Sequence, residues 1–171
     1  MKDITMRPLR ASDAQAVLAF LKIVGGQTRN LTFGPEGMPV DVQEERDYLE
    51  TCAESKDSCE LGVFESGELV ANGSVRRVSC CRPRMAHRFS VAVSVLKSHW
   101  GQGIATALLK RLIEEARTRG AEVLELEVLC SNAAAIRVYT SLGFRVVGTY
   151  EHFFRYGPGE YADAYWMNLY L

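Results

Sequence analysis

"HWGQGIATALL", residues 99–109, sets two glycines one residue apart at the mouth of an apolar helical pattern. Backbone N–H groups at a helix start have no intrahelical acceptor, and the helix dipole adds partial positive charge there. Such a turn suits a phosphate group. It equally suits a plain strand-to-helix connection, so the glycines alone leave both readings open. Upstream, "AHRFSVAVSVL" (86–96) places Phe89, Val91, Val93 and Val95 on one face and reads as a strand. Downstream, Ile104, Ala105, Leu108, Leu112, Ile113 and Ala116 recur at helical spacing over residues 103–119, and Gly120 ends the run. "AEVLELEVL" (121–129) is the next strand. Strand, crossover helix and strand imply a parallel pair.

Working outward, "DITMRPL" reads as a first strand ending near Pro8. "RASDAQAVLAFLKIVGG" reads as a helix capped by Ser12 or Asp13 and stopped by Gly25-Gly26. "QTRNLTFGPEGMPV" is a loop with apolar members Leu31, Phe33 and Met38, and "DVQEERDYLETCAES" is a helix capped by Asp41 with a solvated glutamate face. Two β runs flank the tight turn "ESGE" in residues 59–80. Beyond the central unit, "CSNAAAIRVYTSLGF" is a helix capped by Ser131 or Asn132 and ended by Gly143. "RVVGTYEHFF" and "DAYWMNLYL" are closing strands around "RYGPGE". The order β-α-α-β-β-β-α-β-α-β-β describes one α/β domain over residues 1–171, with helices on both faces of a mixed sheet.

Composition narrows the functional classes. A chain of 171 residues with 47% hydrophobic content supports a proper core. The net charge of −1 argues against nucleic acid or an anionic membrane as partner. No secretory h-region or membrane span is visible, so a cytoplasmic location is expected. The odd set Cys52, Cys59, Cys80, Cys81 and Cys130 lacks metal-ligand spacing and reads as reduced thiols, with Cys80 and Cys81 on opposite sides of a strand. His87, His99 and His152 are scattered, and no metal site is expected.

Two familiar phosphate motifs fail here. The dinucleotide fingerprint needs a third small residue where Thr106 stands, and a P-loop needs a lysine that does not follow these glycines. Trp100-Gly101-Gln102-Gly103-Ile104-Ala105 resembles instead the [Q/R]-x-x-G-x-[G/A] signature of the GNAT superfamily of N-acetyltransferases, with Trp100 where glutamine or arginine is usual. Asn132, Ala135, Tyr139, Gly143 and Phe144 are similar to that family's N-x-x-A-x-x-x-Y-x-x-x-G-F segment, and the element order is also the family's. The resemblance implies a single-domain GNAT fold: a mixed, mostly antiparallel sheet of about seven strands around a central splayed parallel pair, with about four helices.

The resemblance further implies acetyl-CoA as cosubstrate. Its pyrophosphate would lie on Gly101, Gln102, Gly103, Ile104, Ala105 and Thr106. Its pantetheine arm would pair with the backbone of Val93, Ser94 and Val95 and touch Asn132. Transfer to an amine must remove a proton from an ammonium group, whose reference pKa is about 10.4, and protonate a departing thiolate. Tyr139, near the sulfur by family register, is the candidate acid, and Glu127 the candidate base, through a water. The expected acceptor is a small-molecule primary amine such as an amino acid, a polyamine or an aminated antibiotic. Leu31, Phe33 and Met38 are candidates to line its site. A protein N-terminal or lysine acetyltransferase is the alternative enzyme, and an acyl-CoA-binding regulator the non-catalytic one. The apolar last strand, "YWMNLYL", offers an edge for a homodimer.

Overall fold

A computed structural model describes residues 3–171 of the chain. The elements follow the expected order: β1 (Ile4–Pro8), α1 (Ala14–Gln27), α2 (Val42–Glu54), β2 (Ser58–Glu65), β3 (Glu68–Arg77), β4 (Arg88–Val95), α3 (Ile104–Thr118), β5 (Val123–Leu129), α4 (Ala133–Ser141), β6 (Arg145–Gly157) and β7 (Glu160–Tyr170). The strands form one seven-stranded sheet in the order β1-β2-β3-β4-β5-β7-β6. Among these neighbours only β4 and β5 run parallel, because α3 carries the chain back across the sheet between them.

Alternation along the strands divides the core in two. On one face α3 inserts Leu108, Leu112 and Ile113 against Leu61, Val63, Val75, Phe89, Leu124, Leu126 and Met167, and α4 adds Tyr139. On the other face α1 and α2 bring Val17, Phe20, Val24 and Leu49 onto Phe64 and Leu69. Full burial of an aliphatic or phenyl side chain stabilises the fold by about 1.5–3 kcal/mol. Helix α2 starts where Asp41 predicts. Its carboxylate accepts the Gln43 and Glu44 N–H groups at 2.7 and 2.9 Å, and the Asp41 N–H donates to Glu44 Oε2 at 2.8 Å.

Several boundaries differ from the sequence reading. Helix α1 has no side-chain cap, since the Asp13 carboxylate is held by the Arg10 N–H and the Arg7 guanidinium. Nor does α1 stop at Gly25-Gly26; it runs to Gln27. Gly25 is required for another reason: a Cβ there would stand 2.0 Å from the Gly34 carbonyl oxygen of the following loop. Glu45, expected on a solvated face, is buried. Cys80 and Cys81 lie in a loop, because β3 ends at Arg77, and both are exposed. The last turn shrinks to Pro158-Gly159 as β6 and β7 extend toward each other. Strand β7 is therefore interior, between β5 and β6, and the sheet edge on that side is β6. No helix among the described residues is long and apolar enough to cross a membrane.

Candidate active site

The parallel pair comes apart early. Arg88, Phe89 and Ser90 pair with Val123, Leu124 and Glu125, and no pairing follows, although β4 runs on to Val95 and β5 to Leu129. The main-chain groups of β4 that face this gap follow from its other edge. The Leu96 N–H donates to the Val70 carbonyl at 3.0 Å, and the Val78 N–H to the Arg88 carbonyl at 2.9 Å. In an antiparallel ladder alternate residues bond to the same neighbour. Even-numbered residues of β4 therefore bond toward β3, and Val93 and Val95 turn their peptide groups into the gap. Ser94 belongs to β3 instead, and its hydroxyl donates to Asn72 Oδ1 at 2.6 Å. Only two of the three expected pantetheine-pairing residues thus present main chain to the gap.

The glycine turn lies at the end of the same strand. Gly101 and Gly103 have φ of 75° and 79°, the left-handed region that an L side chain enters only with strain. A Cβ at either position would meet nothing within 4 Å, so the space above both glycines is open. From residue 101 to residue 106 no N–H group finds an acceptor among the described residues, and α3 carries no side-chain cap. Donors therefore line an open cradle at the positive end of a helix of 15 residues. Side chains brace the turn from beneath: Gln102 Nε2 donates to the Ser98 carbonyl at 3.0 Å, and His99 faces Glu65 at 3.3 Å. Of Gln102, then, the backbone and not the side chain points to a ligand role. Trp100, the departure from the family signature, donates its indole N–H to the Val95 carbonyl at 2.8 Å.

The remaining candidates lie on opposite faces of the sheet. Asn132 caps α4, accepting the Ala135 N–H at 3.2 Å, and this fixes the helix that carries Tyr139. Tyr139 packs edge-on against Phe144 at 5.8 Å within the α3 and α4 core. Burial pushes its phenol up to about 12, so it stays protonated at neutral pH. Glu127 alternates with Leu126 and Val128, which point into that core, so its side chain emerges on the other face. Desolvation, and next the Glu125 carboxylate, raise the Glu127 pKa. Glu125 shares that face but is spoken for: Arg88 holds it through both Nε, at 2.9 Å, and a terminal guanidinium nitrogen.

Sequence reasoning did not single out what surrounds Glu127. Trp166 on β7 lies directly across from it, and Asn168 directly across from Glu125. Their Nε1 and Oδ1 atoms are buried with no hydrogen-bond partner among the described residues. A cavity of about 680 Å³ opens between the loop after α1 and β6, lined among others by Leu31, Phe33, Phe154 and Tyr156. Two of the three loop residues expected at an acceptor site, Leu31 and Phe33, line it; Met38 does not and is exposed. No group of three or more His, Cys, Asp or Glu side chains suited to a metal ion occurs among the described residues.

The acetyltransferase (GNAT) family model matches residues 27–144. A GNAT-family acetyltransferase from Streptococcus pneumoniae superimposes with a TM-score of 0.93 at 25% identity, covering 99% of this chain and 100% of that one. YncA of Salmonella typhimurium, solved with its cofactor acetyl-CoA, gives 0.84 at 25% identity over 98% of this chain and 94% of that one. Among curated proteins, the L-amino acid N-acetyltransferase AaaT of Escherichia coli is 38% identical over 50% of this chain and 53% of its own length. The ribosomal protein bS18-alanine N-acetyltransferase of the same species is also 38% identical, over 45% of this chain and 52% of its own. The chain thus spans about half the length of these two curated relatives. The splayed strands, the glycine cradle and the matched family model together make this chain a member of the GNAT acetyltransferase family.

Proposed function

We propose that the chain transfers an acetyl group from acetyl-CoA to the primary amine of a small molecule by direct attack. One observation carries this reading: a run of acceptor-free N–H groups over two open glycines adjoins a strand edge left unpaired by its parallel neighbour. Such a surface fits a diphosphate with an amide-bearing arm, since the N–H groups hold the anion and the strand edge pairs with the arm. Residues 101–106 would hold the diphosphate, and Val93 and Val95 would align the arm. Bound there, acetyl-CoA supplies an activated acyl group as a thioester.

The chain's own residues handle the protons. Glu127, on the face opposite the α3 and α4 core, takes a proton from the incoming ammonium through a water. Its raised pKa brings it closer to the working pH, as a general base requires. Tyr139, on the core face, gives a proton to the departing sulfur. The gap between β4 and β5 is where a thioester can meet groups from both faces, the amine arriving from one and the sulfur leaving toward the other. The resemblance to AaaT supports a free amino acid or similar amine as acceptor. A second reading, the N-terminal amine of a protein, is favoured by the resemblance to the bS18-alanine enzyme. Thiol release from acetyl-CoA, followed over amino acids, polyamines and short peptides, tests both. Turnover with free amines supports the first reading, turnover with peptides alone selects the second, and acetyl-CoA binding without any turnover leaves a regulator.

A further inference from the structure

The face that carries Glu127 continues into a file of aromatic rings. Trp166, directly across from Glu127, stacks on Tyr150 with centroids 5.5 Å apart and planes 19° apart. Tyr150 meets Phe153 at 5.5 Å, Phe153 meets Phe154 at 5.2 Å, and Phe154 meets Tyr156 at 5.9 Å. The Arg29 guanidinium lies 4.0 Å over the last ring and pairs with Glu160. The rings therefore run without a break from the candidate base to the 680 Å³ cavity, which Phe154 and Tyr156 line.

A break in the ladder builds this file. Between Tyr150 and Phe154 the β6–β7 register shifts, and His152 takes a φ of 54° with its N–H held by the Asp163 carboxylate at 2.8 Å. A regular strand would send Phe153 and Phe154 to opposite faces. The bulge instead brings both into one chain of ring contacts, a use of bulges common beside active sites. The result keeps large apolar groups in water, with Tyr150 and Phe153 both exposed. Contiguous apolar surface of this kind marks a binding site.

We propose that the acceptor is a primary amine carried on an aromatic or similarly flat apolar body, laid along this ring file with its nitrogen at Glu127. The proposal rests on the N-acetyltransferase reading and narrows its substrate class. Charge complementarity fixes the direction. Arg88 neutralises Glu125, whereas Glu127 has no cationic partner among the described residues and can meet the ammonium. Arg88 also lies 5.4 Å over the Trp166 ring, so Trp166 is the anchored end of the file and the exposed rings of Tyr150 and Phe153 are its open part. The open rings then take the body of the substrate by offset stacking.

Matched amine pairs test the idea with the full chain and acetyl-CoA: phenethylamine against ethylamine, tryptamine against ethanolamine, and phenylalanine against alanine. The aromatic member of each pair is expected to show a kcat/KM at least about tenfold higher. Tyr150→Ala and Phe153→Ala should raise KM for the aromatic amines roughly tenfold and leave KM for acetyl-CoA and for ethanolamine unchanged, while Tyr150→Phe retains the preference. Both truncated side chains are exposed, so the core is untouched. Equal kcat/KM within every pair overturns the proposal and leaves the parent reading standing. Variants that alter the sedimentation coefficient without moving any amine KM assign the rings to a subunit interface and also overturn it. Turnover with peptides alone overturns this proposal and leaves an N-acetyltransferase, and failure of every amine and every peptide while acetyl-CoA still binds removes the parent reading and this one with it.

Discussion

The two ends of the proposed reaction path are built differently. The donor end is backbone: two glycines in left-handed conformation, the first turn of α3, and alternate peptide groups of β4, all within residues 93–106. The acceptor end is side chains gathered from afar: Glu127 on β5, Trp166 on β7, Tyr150 and Phe153 on the bulged edge strand, and Arg29 from the loop after α1. A backbone site tolerates almost any side chain but no change of φ. A side-chain site tolerates backbone drift but depends on each identity. The donor end should therefore fail by conformation and the acceptor end by chemistry.

The largest expected effect breaks the donor end. Gly103→Val puts a β-branched residue at φ 79° and fills the open cradle. Acetyl-CoA affinity, read by calorimetry, should fall by roughly a hundredfold or more, since steric exclusion and backbone strain act together. The Gly103→Ala variant separates them, for its smaller side chain keeps the strain and relieves the crowding.

Tyr139→Phe comes next and tests whether the two ends are separable. Removing one oxygen at a buried position should lower kcat by about a hundredfold, the lower range for a lost general acid, with acetyl-CoA affinity nearly unchanged. Equal turnover in the two proteins would assign Tyr139 to packing on Phe144 alone.

The same division explains what the sequence made legible. Gly101, Gly103, Asn132 and Gly143 act through local backbone geometry, and their spacing is visible in a single line of letters. The splay is not, because it consists of pairing that stops after Ser90 and Glu125. Glu125 and Glu127 look equivalent in "VLELEVL", yet only Glu125 is held by Arg88, 37 residues away. Gly25 read as a helix stop because a stop and a close approach call for the same residue. "YWMNLYL" read as an edge because nothing local tells that β6 folds outside it. The ring file escaped notice because its members come into line only through the bulge at His152.

A smaller effect falls on stability, on the face of the sheet that holds the acceptor end. Beneath α2, burial pushes the Glu60 carboxyl up to about 7, against the Tyr48 hydroxyl at 2.5 Å and the Arg76 guanidinium at 3.7 Å that favour its charged form. The folded chain then holds a proton that the unfolded chain releases at an ordinary carboxylate pKa of about 4.3. The contribution of Glu60 to stability is greatest below that value, declines as pH rises toward 7, and levels off above it. Glu60→Gln should flatten this decline, on the order of 2 kcal/mol, in urea titrations at about pH 5 and about pH 8. An unchanged slope would show that Glu60 is already ionised in the folded state. At a fixed pH, acetyl-CoA affinity should not follow the variant, since the donor end contains none of these groups.

The smallest effect belongs to Trp100, where the two kinds of construction meet. Its indole N–H occupies the Val95 carbonyl at 2.8 Å, one of the main-chain groups aimed into the gap. The side chain thus ties the end of β4 to the glycine turn while the rest of the ring is exposed. Trp100→Phe keeps an aromatic ring and removes the donor. A single neutral hydrogen bond contributes about 1 kcal/mol, so KM for acetyl-CoA should rise about threefold to fivefold. Thermal stability should change little, because no core contact is lost. Trp100→Arg restores a cation of the kind usual at this place in the signature, and it can also donate to the Val95 carbonyl. If Arg recovers the affinity and Phe does not, the tie to Val95 or the added charge matters more than the ring. Comparing Arg with Gln, which donates without charge, then divides those two contributions at one position.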